Sequence, residues 1–257
     1  MAPADPFAAL DVAGAPRGLI ALGGTLDAET LVSAYRAGCF PWPSGEDDER
    51  ELRRSARRLL RRAQVPVLQG PDLHVPWCSP DPRAVLLPDD VVVRRSLRAR
   101  LRSCGWTTTV DTAFEQVMAG CAARDSTWIT GRMRSAYAEL HARGPDGTAG
   151  ACSVEVWDGD ALVGGLYGVR VGSVFCGESM FHRATDASKV ALVELCARLR
   201  EAGGQLVDVQ EETPHLASLG QVLVRRADYL AVLAALRDAP VRLATDRRPV
   251  DRLAQRA

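Results

Sequence analysis

The chain has little of what most often marks a site. Its seven cysteines are odd in number and form no C-x-x-C pair, which argues against a disulfide framework and a zinc site and fits a reduced, cytoplasmic setting. His74, His141, His182 and His215 lie far apart with no metal-ligand spacing. No apolar run reaches the length of a membrane span. The opening MAPADPFAALDVAGAP lacks a basic segment leading into an apolar one, so no signal peptide is expected. A P-loop, a G-x-G-x-x-G turn and a G-x-S-x-G elbow are all missing. Lysine is nearly absent: of 32 lysines and arginines all but Lys189 are arginine, a skew that fits a GC-rich genome. Formal net charge is zero, which argues against a whole-chain polyanion binder and leaves local basic patches open.

What is present is an ordinary globular composition over 257 residues, 47% hydrophobic and 25% charged. Residues 1–17 are rich in Ala and Pro and are expected to be mobile. Leu31, Ala34 and Tyr35 recur at helical spacing before Gly38, and FPWP reads as an extended turn. Residues 45–73 form a distinct insert. Its acids come first and its arginines last, which suits a helix dipole, and its bland reading is a solvated surface helix. VVVRRSLRARLRSC predicts a basic amphipathic helix. Asp111 is placed to cap the next helix. TWIT reads as a short β-like stretch. From residue 152 the period changes to two: CSVEVW, ALVGGLYGVRV and VFCGESMF, separated by turns at DGD and GS, predict an antiparallel meander. Asp186 or Ser188 is placed to cap KVALVELCARLREA, a helix apolar almost all round and therefore central. QLVDVQ is the next strand and ADYLAVLAALRDA a last helix.

Two carboxylates interrupt buried elements: Glu178 on the third meander strand and Asp208 on QLVDVQ. A carboxylate in such a run is costly unless paired. Strand alternation puts Asp208 and Gln210 on one face and Val207 and Val209 on the other. The polar cluster has two readings, an amine-recognising site or a structural network, and spacing alone leaves both open. Cys176 lies in an apolar strand with no evident histidine base, which argues against a thiol nucleophile.

The strings GLIALGGTLDAETLVSAYRAGCFPW, WCSPDPRAVLLP, TWIT, SVEVWDGDALVGGLYGV, FCGESMF with ASK, VDVQ, and HLASLG with RRADYL occur in order over roughly residues 18–230. Together they resemble the bacterial leucyl/phenylalanyl-tRNA–protein transferases. The resemblance implies an α+β chain: a small N-terminal domain at 18–82 carrying the insert, a GNAT-like acyltransferase domain at 83–239 with the meander and a buried central helix, and a tail at 240–257. It implies transfer of Leu, Phe or Met from aminoacyl-tRNA to proteins beginning with Arg or Lys, which creates an N-terminal degradation signal. An activated ester needs no metal or cofactor, and no membrane partner is implied.

Carried over by position, the resemblance assigns the catalytic pair to Asp208 and Gln210, with Glu178 beside them. The aminoacyl side-chain pocket falls on Leu166, Met180, Leu192, Leu195, Leu199 and Val207. Trp42 and Trp128 fall where the terminal adenosine stacks, and Arg95, Arg98 and Arg102 in the basic cluster facing tRNA. The chain departs from the family pattern in its long insert between Trp42 and Trp77, in Cys152, Val209 and Thr213, and in the lengthened loop GPDGTAG. On this reading Glu178 and Asp208 balance the cationic acceptor and Gln210 orients its amine. Asp208 or a ribose oxygen then takes the proton. An acetyl-CoA-dependent N-acetyltransferase is the first rival, opposed by HRATDASK, which has no glycine for a pyrophosphate loop. A non-catalytic tRNA-binding protein is the second.

Overall fold

The computed structural model describes residues 5–15, 18–42, 54, 57, 58, 61, 65–72, 75–123, 127–144 and 147–255. The chain first lays down β1 (Leu19–Gly23), α1 (Ala28–Arg36), β2 (Phe40–Pro41), β3 (Val67–Leu68) and β4 (Pro76–Cys78). These strands make a four-stranded sheet in the order β2-β4-β1-β3. Asp27 caps α1 by accepting the Thr30 N–H at 2.8 Å. Gly38, at φ +79°, turns the chain out of the helix toward β2.

A second, eight-stranded sheet follows, built from β5 (Arg83–Leu86), β6 (Thr107–Val110), β7 (Ala149–Asp158), β8 (Ala161–Val171), β9 (Val174–His182), β10 (Leu206–Gln210), β11 (Val222–Val224) and β12 (Arg248–Pro249). Its order is β11-β5-β10-β9-β8-β7-β6-β12. The helices are α2 (Arg95–Ser103), α3 (Phe114–Ala122), α4 (Gly131–Ala142), α5 (Ala187–Glu201), α6 (Pro214–Ala217) and α7 (Arg226–Leu236). The meander β7-β8-β9 is antiparallel, whereas β9 and β10, joined through α5, are parallel. An α+β architecture with an N-terminal region and a large mixed sheet is therefore present.

Apolar side chains gather into two clusters. One holds Trp77, Phe114, Tyr137, Val169 and Tyr229; the other surrounds α5 with Leu86, Trp106, Val154, Phe175 and Leu195. Along α5 every residue from Ala187 to Leu199 except Lys189 is buried. That burial is why its sequence is apolar all round. Its two buried charges, Glu194 and Arg198, pair with each other, and Arg252 joins them.

Several local expectations are corrected. Asp111 does not cap α3; at φ +55° it accepts the Ser153 N–H at 2.9 Å and so ties β7 to the end of β6. Asp186 occupies the position before α5, yet its carboxylate binds Lys189 at 2.8 Å rather than a backbone N–H. TWIT is irregular; Thr130 instead caps α4. Within the first 17 residues Phe7 and Val12 are buried, and Phe7 meets Trp77 edge-on with ring centroids 5.1 Å apart. Beyond residue 240, where the sequence predicts only a tail, β12 pairs with β6, and a 3-10 helix at Val250–Gln255 buries Val250 and Leu253. Most of the insert lies outside the described residues. Arg54, Arg57, Arg58 and Arg61 within it are helical and exposed. His74 also lies outside the described residues.

Candidate active site

The parallel ladder between β9 and β10 ends at Cys176 and Asp208, while both strands run on. The residues just past that point carry the chemistry. On β9 the register with β8 jumps from Gly168↔Gly177 to Tyr167↔Ser179, so Glu178 is the extra residue of a bulge. Gly168 permits this: a Cβ there would lie 2.2 Å from the Cys176 carbonyl oxygen. Glu178 is buried, and its carboxylate accepts Gln210 Nε2 at 2.7 Å and the Tyr137 hydroxyl at 2.9 Å. Tyr35 hydrogen-bonds Tyr137 behind it. Burial lifts the Glu178 carboxyl from its ordinary range to about 7; hydrogen bonds from Tyr35, Tyr137 and Gln210 pull the other way, and the nearby Asp208 charge adds to the rise.

Gln210 sits on a second irregularity. The register with β5 shifts between Asp208↔Val85 and Gln210↔Ala84, and Gln210 adopts φ +67°. Asp208 Oδ1 accepts the Gln210 N–H at 3.0 Å, a local Asx-type bond that holds this left-handed turn. The simple alternation expected for LVDVQ is thereby broken. Val207, Val209 and Gln210 all line one cavity, and Asp208 is absent from its wall.

Asp208 is fully buried and already paired. Arg83 Nε donates to Oδ1 at 2.8 Å and Arg83 Nη2 to Oδ2 at 2.6 Å, and the Tyr229 hydroxyl donates to Oδ2 at 2.8 Å. Its charge is met inside the protein. These three donors and the Gln210 N–H occupy the carboxylate, so the arrangement sets it behind Gln210 and not on the cavity wall.

The cavity has a volume of about 500 Å³. Leu166, Met180, Leu192, Leu195 and Val207 supply its apolar wall, and Trp42 and Trp128 also line it. Leu166 and Met180 are cross-strand partners, and Leu192 and Leu195 share one face of α5. Leu199 continues that face but does not line the cavity; it is fully buried and packs against Gly204 one turn further on. His182 and His215, given no role by spacing, do line the cavity. Burial, with Lys189 and His182 nearby, lowers the His215 imidazole below its ordinary value. Burial drives the Cys176 thiol well above its ordinary range, which removes it as a nucleophile.

Arg95, Arg98 and Arg102 lie on α2, outside the cavity wall. Arg95 and Arg102 are exposed; Arg98 donates to the Val93 carbonyl. Sequence reasoning missed Arg83, Tyr229, Tyr35 and Tyr137. A signal for Arg83 existed, since it is a charge opening the apolar run RAVL, the same cue that singles out Glu178 and Asp208. The tyrosines give none, because each also satisfies an apolar helical position. Among the described residues no group of three or more His, Cys, Asp or Glu side chains could hold a metal ion, and no helix is long and apolar enough to cross a membrane.

Comparison with known proteins bears on this geometry. The family model for leucyl/phenylalanyl-tRNA protein transferase matches residues 85–234, and the model for that family's N-terminal domain matches residues 24–51. The chain is 43% identical over 230 residues to a leucyl/phenylalanyl-tRNA–protein transferase of Shewanella baltica strain OS155, covering 88% of this chain and 84% of that one. It is 43% identical over 232 residues to the protein of the same name from Shewanella pealeana, covering 89% and 85%. It is 44% identical over 230 residues to that of Shewanella sp. strain ANA-3, covering 88% and 84%. The first family match contains β9 and β10, which carry Glu178, Asp208 and Gln210, and the second contains α1 and the FPW turn; by family model and by relatives alike, the protein belongs to the leucyl/phenylalanyl-tRNA–protein transferase family.

Proposed function

We propose that this chain transfers leucine, phenylalanine or methionine from aminoacyl-tRNA to the α-amine of proteins beginning with Arg or Lys, creating an N-terminal degradation signal. One observation carries the reading. Gln210 and Glu178 form a hydrogen-bonded polar pair on the wall of a cavity whose remaining surface is largely apolar. The apolar part of that wall, formed by Leu166, Met180, Leu192, Leu195 and Val207, suits an unbranched or γ-branched apolar side chain. Trp42 and Trp128 at the same cavity suit stacking of a terminal adenosine. The divergence of parallel β9 and β10 past Asp208, with α5 between them in sequence, supports a GNAT-like catalytic domain. The arginines of α2 suit phosphate contacts along the tRNA.

In the reaction the amine nitrogen attacks the ester carbonyl carbon. A C–N bond forms, the ester C–O bond breaks, and the ribose oxygen leaves with a proton. The ester supplies the driving force, so the enzyme's task is to hold the amine about 3 Å from the carbonyl and to deprotonate it. Gln210 is a poor base but a good acceptor. With Nε2 committed to Glu178, its Oε1 is the atom available to orient the amine. Glu178, with a pKa of about 7, is matched to an α-ammonium of about 7.7–8.0. It balances that charge and receives its proton, a role that Asp208, saturated by Arg83 and Tyr229, does not share.

The test is transfer of labelled leucine from Leu-tRNA to a peptide beginning with Arg, run beside acetyl-CoA as donor. Leucyl transfer without acetylation is expected. Acetylation alone would favour the acetyltransferase reading, and tRNA binding with neither product would favour a binding protein.

A further inference from the structure

We propose that Arg83 is a positioning residue for the transfer reaction, acting through Asp208 to fix Gln210; this rests on the reading of Gln210 as the amine-orienting group. Arg83 is 1% exposed and Asp208 0% exposed, so neither charge reaches water. A buried ion pair contributes little net stability against an apolar replacement, because desolvation offsets most of the attraction. This one is further burdened: Arg83 Nη1 is buried and has no hydrogen-bond partner among the described residues. The guanidinium lies over the rings of Phe40 at 5.0 Å and Tyr229 at 4.6 Å, which fixes its plane. In that plane its fork meets both Asp208 oxygens.

The consequence is geometric. Asp208 Oδ1 is shared between Arg83 Nε and the backbone N–H of Gln210. That N–H belongs to a residue at φ +67°, a conformation costly for a side chain larger than glycine unless its surroundings impose it. Arg83 and Tyr229 set the rotamer of Asp208, Asp208 sets the backbone of Gln210, and that backbone carries the amide to Glu178 and the cavity. On this account Asp208 works as a fixed acceptor and not as a charge that polarises Gln210, since the guanidinium beside it already cancels that charge.

The experiment measures kcat for leucyl transfer to an Arg-initiated peptide and KM for Leu-tRNA in wild type, Arg83→Met, Arg83→Lys, Asp208→Asn, Asp208→Ala and the double variant Arg83→Met/Asp208→Asn, with thermal unfolding of each. Arg83→Met leaves a buried unpaired carboxylate and should lower kcat about 100-fold, the scale of a misplaced catalytic group, with KM changed less than about threefold. Arg83→Lys keeps the charge but loses the fork, and should fall between wild type and Arg83→Met. In the double variant both charges are gone while the side-chain amide oxygen introduced by Asp208→Asn still accepts the Gln210 N–H, so kcat should recover at least about tenfold over Arg83→Met. Should Arg83→Met fail to fold, the double variant carries the test: activity well above Asp208→Ala supports positioning. Activity of Arg83→Met within about threefold of wild type, or a double variant as inactive as Asp208→Ala, overturns the proposal. A wild-type protein that transfers no leucine would instead remove the underlying reading, and this inference with it.

Discussion

Gln210 Nε2 donates to Glu178 Oε1 at 2.7 Å, across two strands whose ladder has just ended. An ionised carboxylate only accepts, so the bond fixes which end of the amide meets Glu178 and leaves the oxygen as its free acceptor. Protonated Glu178 no longer fixes that choice. The protonation state of one residue thus governs the orientation of the other.

A pH dependence follows. Transfer should rise as pH passes through about 7, where the Glu178 carboxyl ionises, and Glu178→Gln should be slow throughout, its remaining rise following the acceptor amine at about 7.7–8.0. Stability should move the opposite way. The folded pKa of about 7 lies above the ordinary value of 4.5, so between these the folded state binds more protons than the unfolded one. The contribution is full below about 4.5 and is lost as pH rises through about 7, at roughly 1.4 kcal/mol per pKa unit. Tyr137 and Gln210 donate to this carboxylate, Tyr35 backs Tyr137, and Asp208 opposes its charge, so these are the groups whose substitution should shift the midpoint. Rate–pH profiles and urea midpoints of wild type and Glu178→Gln check both halves.

The cavity wall should set donor choice, and Leu199 should not. Met180→Phe fills the space in front of Leu166 and should depress phenylalanyl transfer more than methionyl transfer, because methionine adapts its shape. Leu199→Ala should cost about 2–5 kcal/mol of stability, as buried leucines do, and leave the ratio of donors unchanged. Competition assays with three charged tRNAs, beside denaturation curves, separate the two effects.

On the proposed reading, recognition of tRNA divides between the aromatic pair and the basic helix. Trp42→Ala or Trp128→Ala should raise KM for every charged tRNA, on the scale of about 1–3 kcal/mol for a lost base stack. Replacing Arg95, Arg98 and Arg102 by Gln should leave turnover nearly intact and flatten the salt dependence of binding. The log–log slope should change by up to about 0.7–0.9 for each phosphate that is no longer neutralised. An unchanged slope would mean these arginines only solvate α2.

The sequence makes the meander, the central helix and the pairing of the strands around it legible, because turns at DGD and GS bound strand-length apolar runs and KVALVELC is apolar almost all round. It makes Glu178 and Asp208 legible for the same reason, as charges where an apolar period demands none. It does not show which way Asp208 points. The bulge at Gln210 carries no glycine to announce it, and the bond that holds it runs through an arginine 125 residues away in the chain. Leu199 matches the family's pocket by position, yet a position along a helix face does not tell where a cavity ends. The packed residues beyond 240 read as a tail because two strand residues and a short 3-10 helix are too brief to show a period.

The account stands most directly on the single-turnover rate of leucyl transfer from Leu-tRNA to an Arg-initiated peptide by Gln210→Ala. The substitution removes the side chain that Glu178 holds and leaves the Arg83–Asp208 pair in place. The rate is predicted to fall by about 10²–10⁴-fold while the thermal midpoint and the affinity for Leu-tRNA stay close to wild type. A folded Gln210→Ala protein that transfers leucine at nearly the wild-type rate would contradict the assignment of this amide as the group that orients the attacking amine.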